Sequence, residues 1–242
     1  MIRFPILADL PTTPFSGIEV VQGVESPSSD DDGPGRVRVE IDGKADVLAF
    51  YGAAPEVIPA DPVIFLRGDV VEKRDTGIVV SEGYTTTTAY GVQAVAEQWC
   101  ASFARPYVHL ARPGILGSSG QHLNRRRPRE VALVDMALTR LKEHFGWRRL
   151  NLVGQSGGGH LVAALIARRA DIGCAVIASG NTAVALRLRE NGWTTDITGH
   201  AAVRMVVITG TGDRTFSSGY TIEAIQKRLD RSFEDLLDAL ER

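Results

Sequence analysis

The chain has 242 residues, 44% of them hydrophobic and 23% charged, with a formal net charge of −2. That length suits one α/β domain with a large core, and the near-neutral charge gives no basis for a nucleic-acid or anionic-membrane partner. No apolar stretch is long enough for a membrane span, and Met1 to Leu10 is too short and too interrupted by Arg3, Pro5 and Asp9 for a signal peptide.

In chain order, residues 17–24 and 36–41 read as strands joined by a polar loop. The second, Arg36-Val37-Arg38-Val39-Glu40-Ile41, alternates apolar with polar, so one face should meet water. Asp42-Gly43 signals a turn into a third strand-like run, 45–51. Together these predict an antiparallel edge. The pattern then changes. Residues 62–66 form a continuous apolar strand ending at Arg67-Gly68-Asp69, and 89–104 a helix. Residues 107–111 form a strand ending at Arg112-Pro113-Gly114, and 131–145 a helix with apolar residues at Val131, Val134, Leu138, Leu141 and Phe145. The basic run Arg125-Arg126-Arg127-Pro128-Arg129 before it reads as a solvated helix entrance. Further buried strands are expected at 174–178 and 205–208. Residues 181–200 are a short lid or a crossover, and apolar residues at helical spacing run from Ile222 to Leu240. Cys100 and Cys174 lie on apolar segments and read as buried free thiols, which fits a reducing compartment and a cytoplasmic location.

Strands alternating with helices predict a mostly parallel sheet covered on both faces, in one domain over 1–242. Sites in such sheets form at the C-terminal strand ends. The most informative stretch lies at such an end. Leu150 to Val153 is a buried strand, Gly154-Gln155-Ser156-Gly157-Gly158 a sharp turn, and Leu161 to Ala167 part of an apolar helix. A serine held at a strained strand-to-helix turn presents its hydroxyl clear of the backbone, and glycines two positions either side remove side chains where the chain doubles back. The helix N-terminus behind it offers free N–H groups to an oxyanion. Ser118 and Ser119 lack this strand-to-helix context and are not nucleophile candidates.

With its elements in this order the chain resembles the α/β-hydrolase superfamily, over roughly Gly17 to Asp213. The resemblance implies a three-layer α/β sandwich and a serine hydrolase acting on a small-molecule carboxylic ester, or less readily an amide. It implies no cofactor and no metal. It makes Ser156 the nucleophile after strand five and Asp213, in Gly210-Thr211-Gly212-Asp213, the acid after strand seven. It assigns the oxyanion hole to the backbone N–H groups of Gly157 and Asp69. Many members carry His-Gly at the strand-three turn, where this chain has Arg67-Gly68. The loop Arg112 to His122 resembles one that shapes the pocket in many hydrolases; a glycine-rich surface turn is the alternative.

A serine needs an imidazole to take its proton, and the family order is Ser, then Asp or Glu, then His. No histidine follows Asp213, and the expected eighth strand has no counterpart. His109 falls in mid-strand, His144 at a helix end, and His160 one helical turn behind Ser156. His122 and His200 fall on loops near the rim and are the candidate substitute bases. The competing expectation is an inactive hydrolase fold used for binding or regulation, in which an uncovered sheet edge would suit a second copy, making a homodimer the candidate assembly. A Rossmann-like nucleotide binder is disfavoured, because no Gly-x-Gly-x-x-Gly follows the first parallel strand.

Overall fold

Asp42 and Gly43 make the chain's first tight reversal, with φ of 52° and 71°. A two-residue hairpin of the I′ kind requires positive φ at both positions, which Asp tolerates and Gly adopts freely. The strands it joins, β1 (Arg36–Ile41) and β2 (Lys44–Ala53), pair antiparallel from Arg36↔Ala49 to Ile41↔Lys44. The computed structural model describes residues 2–26, 32–55, 61–75, 77–178 and 204–208. Before the hairpin lies helix α1 (Gly17–Gln22). After it come β3 (Val63–Leu66), β4 (Val71–Arg74), β5 (Gly77–Val80), α2 (Glu82–Thr85), α3 (Ala89–Phe103) and β6 (Tyr107–Leu110). Then follow α4 (Pro128–Phe145), β7 (Leu150–Gln155), α5 (Gly157–Ile166), β8 (Ile172–Ala178) and β9 (Arg204–Ile208).

Among the described residues the main sheet has seven strands in the order β1-β2-β6-β3-β7-β8-β9. Strand β2 is antiparallel to both neighbours, while β6, β3, β7, β8 and β9 run parallel. Successive side chains point to opposite faces, so each strand serves two layers. Ile64, Leu66, Val108, Leu110 and Leu152 join one core cluster with Leu138, Leu141, Leu161 and Leu165 of α4 and α5. Each fully buried aliphatic side chain of this kind contributes about 1.5–3 kcal/mol. On the other face Tyr107 meets Trp99 and Phe103 of α3, with ring centroids 6.4 and 6.2 Å away. The amide of Gln93 on α3 clasps Gly52 of β2, accepting from its N–H at 2.9 Å and donating to its carbonyl at 3.0 Å. This is the expected three-layer α/β sandwich, a mostly parallel sheet with an antiparallel N-terminal edge.

The helices carry their own start and stop signals. Thr88 Oγ1 accepts the Gly91 N–H at 2.9 Å at the head of α3. Pro128 occupies the first turn of α4, and Gly146 ends it at a φ of 71°.

Two expectations are corrected. Residues 17–24 do not form a strand; 17–22 are α1. Ser16 Oγ accepts the Ile18 N–H at 3.2 Å, Gly23 stops the turn at a φ of 89°, and Val20 alone of the helix is buried. The β-branched residues suggested extension, but the cap and the glycine decided the backbone. Only Val24 pairs in β fashion, exchanging hydrogen bonds of 2.8 and 2.7 Å with Gly120. Conversely, β4 and β5 form a separate two-stranded hairpin that was not expected. Cys100 and Cys174 are both buried, as expected. All described residues belong to one unit, Met1–Ile208. The 181–200 segment and the helical spacing from Ile222 lie outside the described residues. No described helix is long and apolar enough to cross a membrane.

Candidate active site

Strand β7 is flanked by β3 and β8 and is buried from Leu150 to Gly154. It leaves the sheet at Ser156, whose N–H still donates to the Ala178 carbonyl at 2.8 Å. Its own carbonyl already accepts from His160 N at 3.2 Å, so one residue ends the strand and begins α5. That double duty forces Ser156 to a φ of 48° and a ψ of −115°, a backbone that non-glycine residues avoid. Ser156 is half-buried, and its hydroxyl makes no hydrogen bond with any described residue.

The glycines around it are required by close approach. A methyl at Gly154 would overlap the Gly158 carbonyl, and one at Gly158 the Leu66 carbonyl. One at Gly157 would overlap the Asp69 carboxylate. A Cβ on Gly68 would stand 3.1 Å from Ser156 Cβ. The turn after β3, Arg67-Gly68-Asp69, is therefore pressed directly against the elbow. No described backbone or side-chain acceptor takes the N–H of Gly157 or Asp69. Gly157 is at the first position of α5, where the helix leaves its N–H unpaired.

The side chain of Asp69 holds this turn in place. Its Oδ1 meets Arg112 Nη1 at 2.7 Å, and its Oδ2 meets Arg126 Nη2 at 2.6 Å and Arg125 Nε at 3.1 Å. Arg112, at the end of β6, is fully buried. Its Nε donates to Glu130 Oε1 at 2.9 Å and its Nη1 to the Arg67 carbonyl at 3.2 Å. Glu130 also accepts the Arg126 N–H at 2.5 Å. Burial alone would raise the Asp69 pKa, but the three guanidinium groups outweigh it and hold the carboxyl down at about 2. The same carboxylates raise the Arg112 pKa against its own burial. The run 125–129 is thus more than a solvated helix entrance: Arg125 and Arg126 bind Asp69, and Arg129 binds Asp46 at 2.8 Å.

The candidate bases separate clearly. His122 is fully buried, and its Nε2 accepts the Val70 N–H at 3.4 Å, which places its proton on Nδ1. Burial and the Arg112 charge, only partly offset by Asp69, depress its pKa to about 3. It supports the turn after β3, with its Nε2 engaged by the Val70 N–H. His109 packs edge-on against Phe65 at 5.0 Å, and burial with the Arg67 charge likewise depresses it to about 3. His144 lies edge-on to Phe145 at 4.9 Å in the last turn of α4, and His160 is buried within α5. Asp213 and His200 lie outside the described residues.

The loop Arg112 to His122 is not a surface turn. Ser118 and Ser119 are buried against β2 and bond to its backbone. Beside it, a cleft of about 630 Å³ runs between the end of α1 and the entrance of α4, lined by Lys44, Asp46, Arg127 and Arg129 among others. Neither Ser156 nor Gly157 lines it.

Sequence reasoning located the strand-to-helix turn at Ser156 but missed Arg112 and Glu130. The available signal was a lone acid, Asp69, at the rim of a chain with five arginines between 112 and 129.

No family model and no curated protein matches the chain. Solved structures are similar to it at low identity. One is a probable hydrolytic enzyme from Pseudomonas aeruginosa PAO1, 14% identical over 67% of this chain and 47% of that one, with a TM-score of 0.43. Another is Est1E from Butyrivibrio proteoclasticus with ferulic acid bound, 14% identical over 64% and 56% of the two chains, with a TM-score of 0.44. A third is an esterase from Pyrococcus furiosus, 12% identical over 87% and 84%, with a TM-score of 0.48. The chain spans about half the length of the first two, at 47% and 56%.

Proposed function

We propose that this chain is a serine hydrolase of the α/β-hydrolase superfamily that cleaves carboxylic esters. The observation that carries this reading is Ser156: a serine at a φ of 48° between a buried strand and a helix, with its hydroxyl unbonded. Holding a serine there costs about 1–3 kcal/mol, a strain that clusters at functional sites.

In the proposed reaction Ser156 Oγ attacks the ester carbonyl carbon and gives its proton to a base. The N–H groups of Gly157 and Asp69 receive the oxyanion, in a site whose geometry is set before substrate arrives. The carbon–oxygen bond to the alcohol breaks, the base returns the proton to the leaving oxygen, and water then releases the acyl group from Ser156 by the same steps. Of the five histidines, four have the structural engagements described above, and His200 is the proposed base with Asp213 as its orienting acid.

The test is labelling with a fluorophosphonate, which reacts only with an activated serine. Wild type is expected to label at Ser156, and Ser156→Ala not at all. Replacing His200 by Gln should slow labelling. An unlabelled wild type would overturn this reading in favour of a hydrolase fold that binds without turnover.

A further inference from the structure

The turn after β3 carries a second cation that the Asp69 clamp does not use. Leu66 pairs with Gly154 in the parallel ladder, so Arg67 comes level with Gln155, one residue before Ser156. Arg67 stands two residues beyond Phe65 and so shares its face of the sheet. Phe65 is registered against His109, and His109 against Tyr51. Arg67 therefore caps a row of aromatic rings on the α3 face, at the strand end where the elbow opens. Its guanidinium carbon lies 5.9 Å from the centre of the Tyr84 ring, a cation–π distance. Tyr84 is itself fixed, because its hydroxyl accepts the Leu116 N–H at 3.0 Å.

Arg67 lacks what its neighbours have. Arg112, Arg125, Arg126 and Arg129 each meet a carboxylate within 3.1 Å. Arg67 is half-buried, yet among the described residues no carboxylate pairs with it and no hydrogen-bond acceptor takes its guanidinium. Burial works against its charged form with only Tyr84 to favour it. Close by, buried His109 has an Nε2 atom with no hydrogen-bond partner. A buried polar atom without a partner is costly, and so is a desolvated cation without a counter-charge. One small anion would satisfy both.

We propose that Arg67 is the anion anchor of the Ser156 site and that the substrate is an ester bearing a free carboxylate, such as a monoester of a short dicarboxylic acid. This rests on the reading of Ser156 as nucleophile. The planar guanidinium takes a carboxylate through two parallel N–H bonds, and the Tyr84 face keeps the fork in one plane. His109 contributes an Nε2–H from the floor. One full charge and one neutral imidazole match a monoanion; the other arginines nearby each already meet a carboxylate of the protein. Because Arg67 is two positions before Asp69 and level with Gln155, the anchored carboxylate belongs to the molecule whose carbonyl reaches Ser156.

The test has a binding arm and a kinetic arm. Calorimetric titration of the Ser156→Ala protein with glutarate should show saturable binding. Adding Arg67→Gln should weaken it about tenfold or more, and Arg67→Lys should weaken it less. Glutaramide should not bind. In the active protein the ratio of kcat/KM for mono-p-nitrophenyl glutarate over p-nitrophenyl pentanoate should fall about tenfold or more on Arg67→Gln. Should Arg67→Gln fail to fold, His109→Gln provides the second variant, with a smaller loss in the same ratio. Glutarate binding that Arg67→Gln leaves unchanged, or no binding at all, overturns the anchor. Inorganic phosphate bound more tightly than glutarate overturns the carboxylate assignment. Fluorophosphonate labelling of Ser156 without glutarate binding removes the anchor but keeps the hydrolase. Glutarate binding without labelling removes the ester and leaves an anion site.

Discussion

Two turns rich in glycine and serine close parallel strands on the same rim of this sheet, and they use their serines in opposite ways. After β6, Ser118 and Ser119 are buried at 0% and 2% exposure. Ser118 Oγ accepts the Ala49 N–H at 2.9 Å, and Ser119 Oγ accepts the Val47 N–H at 2.8 Å while donating to Asp46 at 3.2 Å. These hydroxyls complete a ladder: β2 pairs with β6 only from Phe50 onward, and the N–H groups of Val47 and Ala49 would otherwise be buried without partners. After β7, Ser156 has a strained backbone and an unbonded hydroxyl. The difference teaches that a serine in a glycine-rich turn is structural where the adjacent strand needs an acceptor. It is available for chemistry only where the backbone carries it past the end of the ladder.

That contrast can be broken most directly through reactivity. Ser156→Ala should lower ester turnover by at least about 10³-fold, whereas Ser119→Ala should still label at Ser156, read by mass spectrometry of the labelled peptide. Labelling at Ser118 or Ser119 would erase the distinction.

The next largest effect belongs to the clamp that presses the β3 turn onto the elbow. Arg112→Met strands the buried Asp69 and Glu130 carboxylates, and urea unfolding should show a loss of about 3–5 kcal/mol. A loss below about 1 kcal/mol would mean that Arg125 and Arg126 alone neutralise Asp69.

The two turns should also respond in opposite directions to loss of their hydroxyls. Ser118→Ala leaves the buried Ala49 N–H unpaired and should cost about 1–3 kcal/mol. Ser156→Gly relieves a positive φ and should stabilise by about 1 kcal/mol relative to Ser156→Ala. If both changes destabilise equally, Ser156 is not strained.

A further contrast lies in the pH response of His122, which links the β6 loop to the β3 turn. Its folded pKa of about 3 lies below the ordinary value of 6.5, so the unfolded chain takes up a proton first as pH falls. Stability is fully present above about pH 6.5 and declines toward pH 3, by about 1.4 kcal/mol per pH unit for each such histidine. His109, also held at about 3, adds a similar slope. Urea midpoints measured between pH 7 and pH 5 should fall, and His122→Gln should flatten the fall by about half.

Much of the fold was legible because its signals are periodic. The alternation of Arg36–Ile41 matches β1 residue for residue, and the helical spacing from Val131 to Phe145 places α4 to within its first turn. The turn from β7 to α5 was legible because strand, glycine and helix follow one another without a gap. Residues 17–24 were misread because β-branched residues outnumbered the two caps that decide α1. The β4–β5 hairpin was missed because two four-residue strands, one with Glu72, Lys73 and Arg74, carry too little pattern.

By itself, the sequence determined the strand–helix alternation, the hairpin at Asp42-Gly43 and the position of Ser156, all consequences of local backbone preference and hydrophobic period. Tertiary structure decided what each polar group does. Asp69 finds its partners 43 to 57 residues away, His122 turns toward Val70, and Ser118 and Ser119 complete β2. Arg67 is left without a counter-charge among the described residues. Charge pairing and hydrogen-bond saturation depend on which strand ends meet across the sheet, and no local pattern encodes that.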